Sequence, residues 1–347
     1  MTVPDLGRYA RQMIYPAIGE TGQRALAEAR VLLVGCGALG THLADTLVRA
    51  GVGHLRLVDR DFVELHNLQR QILFDEDDQA RGVPKATAAA EKLRRINSTV
   101  TIEPIVDDAN AGNIAALIDG VHLILDGTDN FETRYLLNDA AQRAGLPWVY
   151  GGVLASYGMT MTILPGETAC LRCLFPDPPP PGGAPTCETA GVLGPAVAMI
   201  AAFQASEALK LLVGARDVVN RDLLALDVWR LTVDRLPATR QTDCPTCGDG
   251  ARSYPFLDHA ASSRTVTLCG RNAVQVNVNP APTVTLAALA DRLRPIGTVK
   301  HNAHLLRFRP TEHDAHELVI FPNGRAIIHG TDEPAVARSL YARYVGM

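Results

Sequence analysis

The run Val31-Leu32-Leu33-Val34 passes directly into Gly35-Cys36-Gly37-Ala38-Leu39-Gly40, and apolar residues then recur at Leu43, Leu47 and Val48. Four successive apolar residues read as a strand buried on both faces, and the spacing that follows reads as one face of a helix. A strand that enters a helix through a glycine-rich turn places backbone N–H groups and a helix N-terminus where a phosphate can sit. A second strand, His54 to Val58, ends at Asp59, 19 residues beyond Gly40, where a carboxylate can accept from a ribose hydroxyl. This opening unit predicts an α/β fold with a doubly wound, mostly parallel sheet of the Rossmann kind. Gly37, Ala38 and Gly40 are the expected phosphate contacts. The loop by itself suits a dinucleotide as well as ATP.

The alternation continues with strands at Thr99 to Val106, Val121 to Leu125 running into Asp126, Trp148 to Gly151 and Leu223 to Val228, and a helix from Phe131 to Ala144. A proline-rich segment, Pro176 to Pro185, excludes a regular element there. Between Glu188 and Glu207 lie 18 uncharged residues, the lower limit for a membrane span. Gly191, Gly194, Pro195 and Gln204 interrupt them, so a buried helical region from Thr189 to Leu212 is expected, and no membrane span. We place a first domain at 1–250 and a smaller α+β domain at 251–347. The second shows a strand pattern from Thr265 to Val278, a helix after Thr285 with Leu286, Leu289, Ala290 and Leu293 on one face, and an Asn323-Gly324 hairpin. A last helix follows Thr331 and Asp332 and carries Val336, Leu340 and Tyr344.

Charge separates the partner classes. With 33 basic against 37 acidic side chains and a net charge of −4, the chain lacks the basic excess of a general nucleic-acid or anionic-membrane binder. Only Lys85, Lys92, Lys210 and Lys300 are lysines, so each invites a question about why arginine does not stand there. Lys85 follows Pro84, Arg70 lies within Asn67-Leu68-Gln69-Arg70-Gln71, and Asp126-Gly127-Thr128-Asp129-Asn130 follows the fourth strand. An arginine, a lysine and an aspartate at strand ends suit a triphosphate, with two cations against phosphate charge and a carboxylate for Mg²⁺. Hydride transfer has no use for such a set. A solvated surface pair is the other reading of Arg70 and Lys85.

Cys170-Leu171-Arg172-Cys173 and Cys244-Pro245-Thr246-Cys247 are two knuckles separated by 70 residues. Four thiolates in two such pairs form the closed set of a structural Zn²⁺ site, with unrelated thiol pairs or an iron–sulfur cluster as alternatives. Cys187 stands apart, ahead of the Thr189 to Leu212 helical region, where a thiol can have a lowered pKa and act as a nucleophile; an inert loop cysteine is the other reading. Cys36 and Cys269 read as packing residues. His301 with His304, and His313 with His316, read as exposed polar positions. Seven cysteines, and charges at Asp5, Arg8 and Arg11 that interrupt any apolar leader, make a reduced cytoplasmic setting the expectation.

Together, Arg8-Tyr9-Ala10-Arg11-Gln12, the glycine loop, Asn67 to Gln71, Pro84-Lys85, Thr128-Asp129-Asn130, the paired knuckles and Ala190-Gly191-Val192-Leu193-Gly194 resemble the ThiF/MoeB/HesA family of E1-like adenylyltransferases over about residues 5–250. The segments Phe321 to Ala326 and Leu340 to Tyr344 are similar to the C-terminal extension of longer ThiF-type members. The resemblance implies binding of ATP·Mg²⁺ and of the C-terminal Gly-Gly tail of a small ubiquitin-fold sulfur carrier, whose carboxylate attacks the α-phosphate to give an acyl adenylate and pyrophosphate. It implies Asp59 on the ribose, Arg70 and Lys85 on phosphates, Asp129 on Mg²⁺, and Asn67, Gln71 and Asn130 lining the pocket. It further implies that Arg11 reaches into the partner subunit of a homodimer, and that Cys187 serves a covalent step of sulfur transfer fed by a cysteine desulfurase or other donor. The extension favours the thiamine-thiazole carrier; MoeB-type activation of the molybdopterin synthase small subunit, or service to several carriers, is the alternative. A non-catalytic nucleotide-binding adaptor and an NAD-dependent oxidoreductase are readings from other classes.

Overall fold

The computed structural model describes residues 6–179, 187–258, 265–268, 272–276 and 285–345. The chain divides into two compact units, Met1–Pro179 with Ala190–Ala260, and Pro180–Thr189 with Ala261–Met347.

The first unit begins with helices α1 (Ala10–Met13) and α2 (Gly19–Glu28), then β1 (Arg30–Val34), α3 (Ala38–Ala50) and β2 (His54–Val58). It continues through α4 (Glu76–Arg81), α5 (Lys85–Ile96), β3 (Thr101–Ile105), α6 (Ile114–Ile118), β4 (Leu123–Asp126), α7 (Phe131–Ala144) and the hairpin β5 (Trp148–Leu154) and β6 (Tyr157–Ile163). After α8 (Leu171–Leu174) come α10 (Gly194–Leu212), the hairpin β7 (Leu223–Asp227) and β8 (Thr232–Leu236), and α11 (Pro255–Asp258); the short α9 (Cys187–Ala190) lies on the segment between α8 and α10, with all but its last residue in the second unit. Among the described residues eight strands form one sheet in the order β3-β2-β1-β4-β5-β6-β7-β8. The first five are parallel, as expected of a doubly wound sheet; the last three run antiparallel.

The β1 residues explain themselves in this sheet. Val31 and Leu33 join the core beneath α3, α5 and α10, while Leu32 and Val34 join the opposite one beneath α7. A strand covered on both faces has no solvent side, which is why its sequence does not alternate. Each such leucine contributes roughly 1.5–3 kcal/mol by leaving water. The order reverses beside β1, between β2 and β4, and there Val34 lies level with Val58 and Asp126. A crevice outside such strand ends is where this architecture binds ligands.

The apolar segment 194–212 is a single helix, α10, long and apolar enough to cross a membrane by length and composition. It packs against α3, β5 and β6 and buries Val197, Ile200, Gln204 and Ala208. The helical region expected from Thr189 is two pieces, α9 and α10, separated by residues 191–193. At the far edge β8 is exposed at every position, next to Trp229 and Leu231 at 79% and 88% exposure.

The second unit is α+β. Strands β9 (Thr265–Leu268), β10 (Ala273–Val276), β11 (Gly297–His301), β12 (Leu306–Pro310), β13 (Glu317–Ile320) and β14 (Ala326–His329) pair antiparallel in the order β11-β12-β13-β14-β10-β9, with helices α12 (Leu286–Leu293) and α13 (Pro334–Tyr344). Leu286, Leu289, Ala290 and Leu293 of α12 and Leu340 and Tyr344 of α13 are buried in its core, as their spacing predicts. Asn323-Gly324 sits in the β13–β14 connection, with Gly324 at φ +77°, but the connection is five residues long rather than a two-residue turn. His313 corrects one expectation. It is half-buried, its Nδ1 3.0 Å from the Tyr344 hydroxyl, and His316 is half-buried beside it; His301 and His304 are exposed as read. Cys269 lies outside the described residues, and so do the side chain of Cys187 and most of the proline-rich segment.

Candidate functional site

The glycine loop is fixed by backbone packed on backbone. Gly35 has φ +91°, a region that glycine alone enters freely, and its N–H donates to Val58 O at 2.8 Å. A Cβ on Gly40 would stand 2.0 Å from Gly35 O, and one on Gly127 would stand 2.5 Å from the same atom. The turn after β1, the first turn of α3 and the loop after β4 therefore touch without side chains between them. Gly37 differs: it is the N-cap of α3, no side chain caps that terminus, and the nearest atom to a Cβ there would be Gln71 Nε2 at 3.9 Å. The first N–H groups of α3 are thus left to an external acceptor. Gly40→Ala tests this packing. Alanine favours helices by about 1 kcal/mol, yet overpacking against a carbonyl costs roughly 1–3 kcal/mol. A lower melting temperature and at least about ten-fold weaker ATP binding by calorimetric titration are expected; a variant that binds as tightly as wild type would show that the contact does not constrain the loop.

Four further groups gather at this end of the sheet. The Asp59 carboxylate accepts from Cys36 N–H at 2.6 Å and from Asp61 N–H at 2.7 Å, which ties the end of β2 to the glycine loop. Burial pushes the Asp59 carboxyl up from its ordinary value, opposed by the Lys85 charge and by these N–H donors. Cys36 is fully buried and its thiol is pushed up, chiefly by burial, which suits packing rather than reactivity. Lys85 is the first residue of α5 and only 3% exposed; its N–H donates to Asp61 O at 2.8 Å and its Nζ lies 3.4 Å from Asp61 Oδ2. Gln71 is 3% exposed and its Oε1 has no hydrogen-bond partner among the described residues. A buried amide oxygen without a donor costs about 1–3 kcal/mol, a cost that a bound ligand can remove.

Asn67 is also buried, and its Oδ1 accepts from Glu64 N–H while its carbonyl accepts from the Arg70 and Gln71 N–H groups, so it shapes the segment that carries them. Arg70 donates to His66 O at 3.0 Å. Asn130 caps α7, its Oδ1 accepting from Thr133 N–H at 2.8 Å, which leaves its amide hydrogens as its donors. Asp129 is exposed on the loop between β4 and α7. The N-terminus of α10 adjoins the same region, since a Cβ on Gly194 would lie 3.6 Å from Gln69 O.

Beneath this rim lies a buried ion pair that the sequence did not reveal. Asp126 is fully buried and accepts from the Thr128 N–H and hydroxyl at 2.9 and 2.7 Å and from Arg134 Nε at 3.3 Å. Arg134 also donates to Thr128 O and Gly151 O, and its guanidinium lies 5.4 Å from the Tyr150 ring centroid. Gln204, from the middle of apolar α10, donates to Asp126 O at 2.9 Å. Together these groups set the backbone of the loop that presents Asp129.

Arg11 stands elsewhere. It is exposed on α1, and its neighbours anchor that segment at the C-terminal ends of α3 and α5: Gln12 donates to Ala50 O, and Tyr9 accepts from Asn97. The glycine loop is at the other end of α3, whose 13 residues span about 20 Å. Cys187 opens the four-residue α9.

The two knuckles come together. The Sγ atoms of Cys170, Cys173, Cys244 and Cys247 all lie within 4.8 Å of one another, with 170–173, 170–244 and 173–247 separations of 3.9, 3.6 and 3.3 Å. A tetrahedron with Zn–S bonds of about 2.3 Å has S···S edges of about 3.8 Å, so the donor set fits a tetrahedral thiophilic metal. Gln241 N–H points at Cys173 Sγ at 3.4 Å, the outer-shell donor such a thiolate favours.

A family model described as the ThiF family matches residues 9–246. The chain belongs to the ThiF family. A Bacillus subtilis (strain 168) protein named sulfur carrier protein ThiS adenylyltransferase is 45% identical to this ThiF-family chain over 343 residues, 98% of this chain and 99% of its own length. A Thermus thermophilus protein named sulfur carrier protein adenylyltransferase is 39% identical over 265 residues, 75% of this chain and 97% of that one. The crystal structure of E. coli MccB with MccA-N7isoASN matches at a TM-score of 0.63 and 21% identity over 72% of this chain and 76% of that one, which shows the shared fold.

Proposed function

We propose that this protein is an ATP-dependent adenylyltransferase that activates the C-terminal Gly-Gly carboxylate of a small ubiquitin-fold sulfur carrier, the carrier of thiamine-thiazole synthesis, as an acyl adenylate. One observation supports the choice of carrier above the others: the relative named for ThiS is matched along 98% of this chain, second unit included, whereas the Thermus relative with the unspecified carrier is matched along 75%.

A carboxylate is already ionised near neutral pH and requires no general base, so the site has to align the reactants and cancel charge in the pentavalent transition state. The free N–H groups at the start of α3 and the glycine loop receive phosphate oxygens. Lys85 and Arg70 oppose phosphate charge, and Asp59 accepts from the ribose. Asn67, Gln71 and Asn130 line the pocket, where the unpartnered Gln71 Oε1 gains a donor. Asp129 would hold Mg²⁺, which when bound supplies further charge neutralisation at the phosphates. The four knuckle cysteines would hold a structural Zn²⁺, kept as thiolates by a reducing cytoplasm. Arg11, anchored at the opposite end of α3 from its own glycine loop, is suited to complete the site of a second copy in a homodimer. Cys187 is assigned to the later sulfur-transfer step, with a desulfurase or other sulfur donor as the second partner. The exposed β8 edge with Trp229 and Leu231 offers the carrier an apolar surface.

The test incubates the protein with ATP, Mg²⁺ and, separately, the thiazole-pathway carrier and the small subunit of molybdopterin synthase. Pyrophosphate release with a carrier mass gain of one AMP is expected from the first. Modification of the second alone would move the assignment to the molybdopterin branch, and modification of neither would refute the adenylyltransferase reading.

A further inference from the structure

Lys92 belongs to no part of the pocket described above, yet it is one of four lysines in a chain whose other 29 basic residues are arginines. It lies on α5, two turns beyond Lys85, and therefore on the same side of that helix. Its Nζ donates to Asp75 at 2.6 Å and also to Asp78. Those carboxylates cap each other: Asp75 Oδ1 accepts from Asp78 N–H at 3.0 Å, and Asp78 Oδ2 accepts from Asp75 N–H at 3.1 Å. Asp78 is 1% exposed and also accepts from Arg81 at 2.8 Å. A single compact ammonium thus bridges both arms of the box that starts α4, a geometry a planar guanidinium does not reproduce with one atom.

What this clasp holds is the segment that carries the pocket residues. Residues 62–84 leave the end of β2 and return to the start of α5, and Phe62 and Pro84 form an isolated antiparallel bridge at the base, with Val63 N–H donating to Val83 O. Between those ends lie Asn67, Arg70 and Gln71 on the outgoing limb and α4 on the returning one. Leu73 and Phe74 are buried at the turn between the limbs. The Lys92 side chain, the Asp78 N–H and burial set the Asp75 carboxyl in opposing ways, the first two prevailing to hold it at about 2, so the clasp stays charged throughout the range of an ordinary assay.

We propose that Lys92 is a positioning residue for the nucleotide pocket: by bridging the Asp75–Asp78 cap of α4 to α5, it fixes the Asn67–Gln71 segment against the glycine loop and Lys85. This rests on the ATP-dependent reading above. Because the cap's carboxylates are taken up by Lys92, Arg81 and each other's N–H groups, its loss acts on nucleotide affinity through the geometry of the segment it holds.

The variants are Lys92→Met, Lys92→Arg and the milder Asp75→Asn, which removes one exposed arm and leaves the buried Asp78 paired. Lys92→Met is expected to raise KM for ATP roughly ten-fold at saturating carrier, with kcat and KM for carrier within about two-fold of wild type. Asp75→Asn should raise it by a smaller factor, and Lys92→Arg should recover only part of the loss. The dissociation constant for ATP, read by calorimetry without carrier, should move in parallel. Should Lys92→Met fail to fold, Asp75→Asn carries the test. Wild-type KM and Kd for ATP in a folded Lys92→Met or Asp75→Asn protein, whatever the melting temperature, would overturn the proposal. A wild-type protein that binds ATP but adenylates no carrier would instead refute the function, and the Kd series would still decide the role of Lys92.

Discussion

Replacing Lys85 with alanine should reduce carrier-dependent ATP–pyrophosphate exchange by about 10³-fold while leaving the circular dichroism spectrum unchanged. The size follows from burial. Lys85 is 3% exposed, so its ammonium faces the pocket with little water to screen it, and removing one preorganised charge from such a site typically costs on the order of 10²–10³ in rate. The fold should survive because the backbone at this position is held independently of the side chain, by Lys85 N–H donating to Asp61 O at 2.8 Å and by the hydrophobic face of α5 against the core. Alanine is also a good residue for the first turn of a helix. The Asp61 carboxylate loses a cation, but at 14% side-chain exposure it retains access to water. Lys85→Arg should rescue poorly, since a planar fork does not fit where a point charge sits beside one carboxylate oxygen. Asp129→Ala should show a comparable loss through Mg²⁺. Wild-type exchange in either alanine variant would remove the phosphate site from this crevice.

The parts of the fold legible in the sequence are those where a single physical cause writes a single pattern. Strands β1 and β4 lie inside a covered parallel sheet, so each is a nearly continuous apolar run, and the glycines after β1 are required by backbone contacts that admit no Cβ. Strands β6 and β8 were not legible, and the turns that precede them show why. Hairpins announce themselves by Gly or Asn at positions of positive φ. Here Ala155 occupies that region at φ 52° before β6, and Leu231 at φ 56° before β8. A strained alanine and a strained leucine look like ordinary residues in a sequence. β8 also lacks any apolar alternation that a core would impose, because it is exposed throughout.

The candidate site divides in the same way. Asp59 follows β2, and Gln71 and Lys85 come near it and the glycine loop, the first with its Nε2 3.9 Å from where a Cβ on Gly37 would stand and the second with its charge acting on Asp59. In the sequence Asp126 reads only as the end of a strand and Gln204 only as a break in an apolar run, because their polarity, with that of Arg134, serves the buried backbone and only three-dimensional proximity joins residues 126, 134 and 204. Breaking the Asp126–Arg134 pair from one side would leave a buried charge uncompensated, a cost of about 3–5 kcal/mol, so these positions report on stability as much as on nucleotide binding. The histidines at 313 and 316 failed in the reverse direction. Without accompanying ligands the pair reads as surface, whereas the edge-on contact of His313 with Tyr344 depends on α13 reaching that part of the unit.

Removal of metal from the cysteine knuckles should destabilise the protein strongly without first affecting the affinity for ATP. Cys170, Cys244 and Cys247 are core residues, packed with Tyr135, Trp148, Ile163 and Leu257, so the four-cysteine cluster is part of the second face of the sheet and not an appendage. The chain between the knuckles runs through the proline-rich segment, α10 and the β7–β8 hairpin, which makes the cross-link a long-range one. Without metal, thiolates 3.3–3.9 Å apart repel, or take up protons and leave buried sulfur with weak partners. Structural zinc contributes on the order of 10 kcal/mol in zinc-finger peptides that have no other core. In a unit with two large cores a fraction of that, about 3–5 kcal/mol, is expected, which for a domain of this size lowers the melting temperature by roughly 10 °C. Metal analysis should find one zinc per chain in protein purified reduced. A strong chelator should lower the melting temperature by that amount, and Cys170→Ser, which removes one of four ligands, should do the same without chelator. The calorimetric affinity for ATP, measured below the lowered transition, should stay within about two-fold of the holo protein because the glycine loop packs on the other core. Metal-free protein with an unchanged melting temperature would reduce the four cysteines to packing residues.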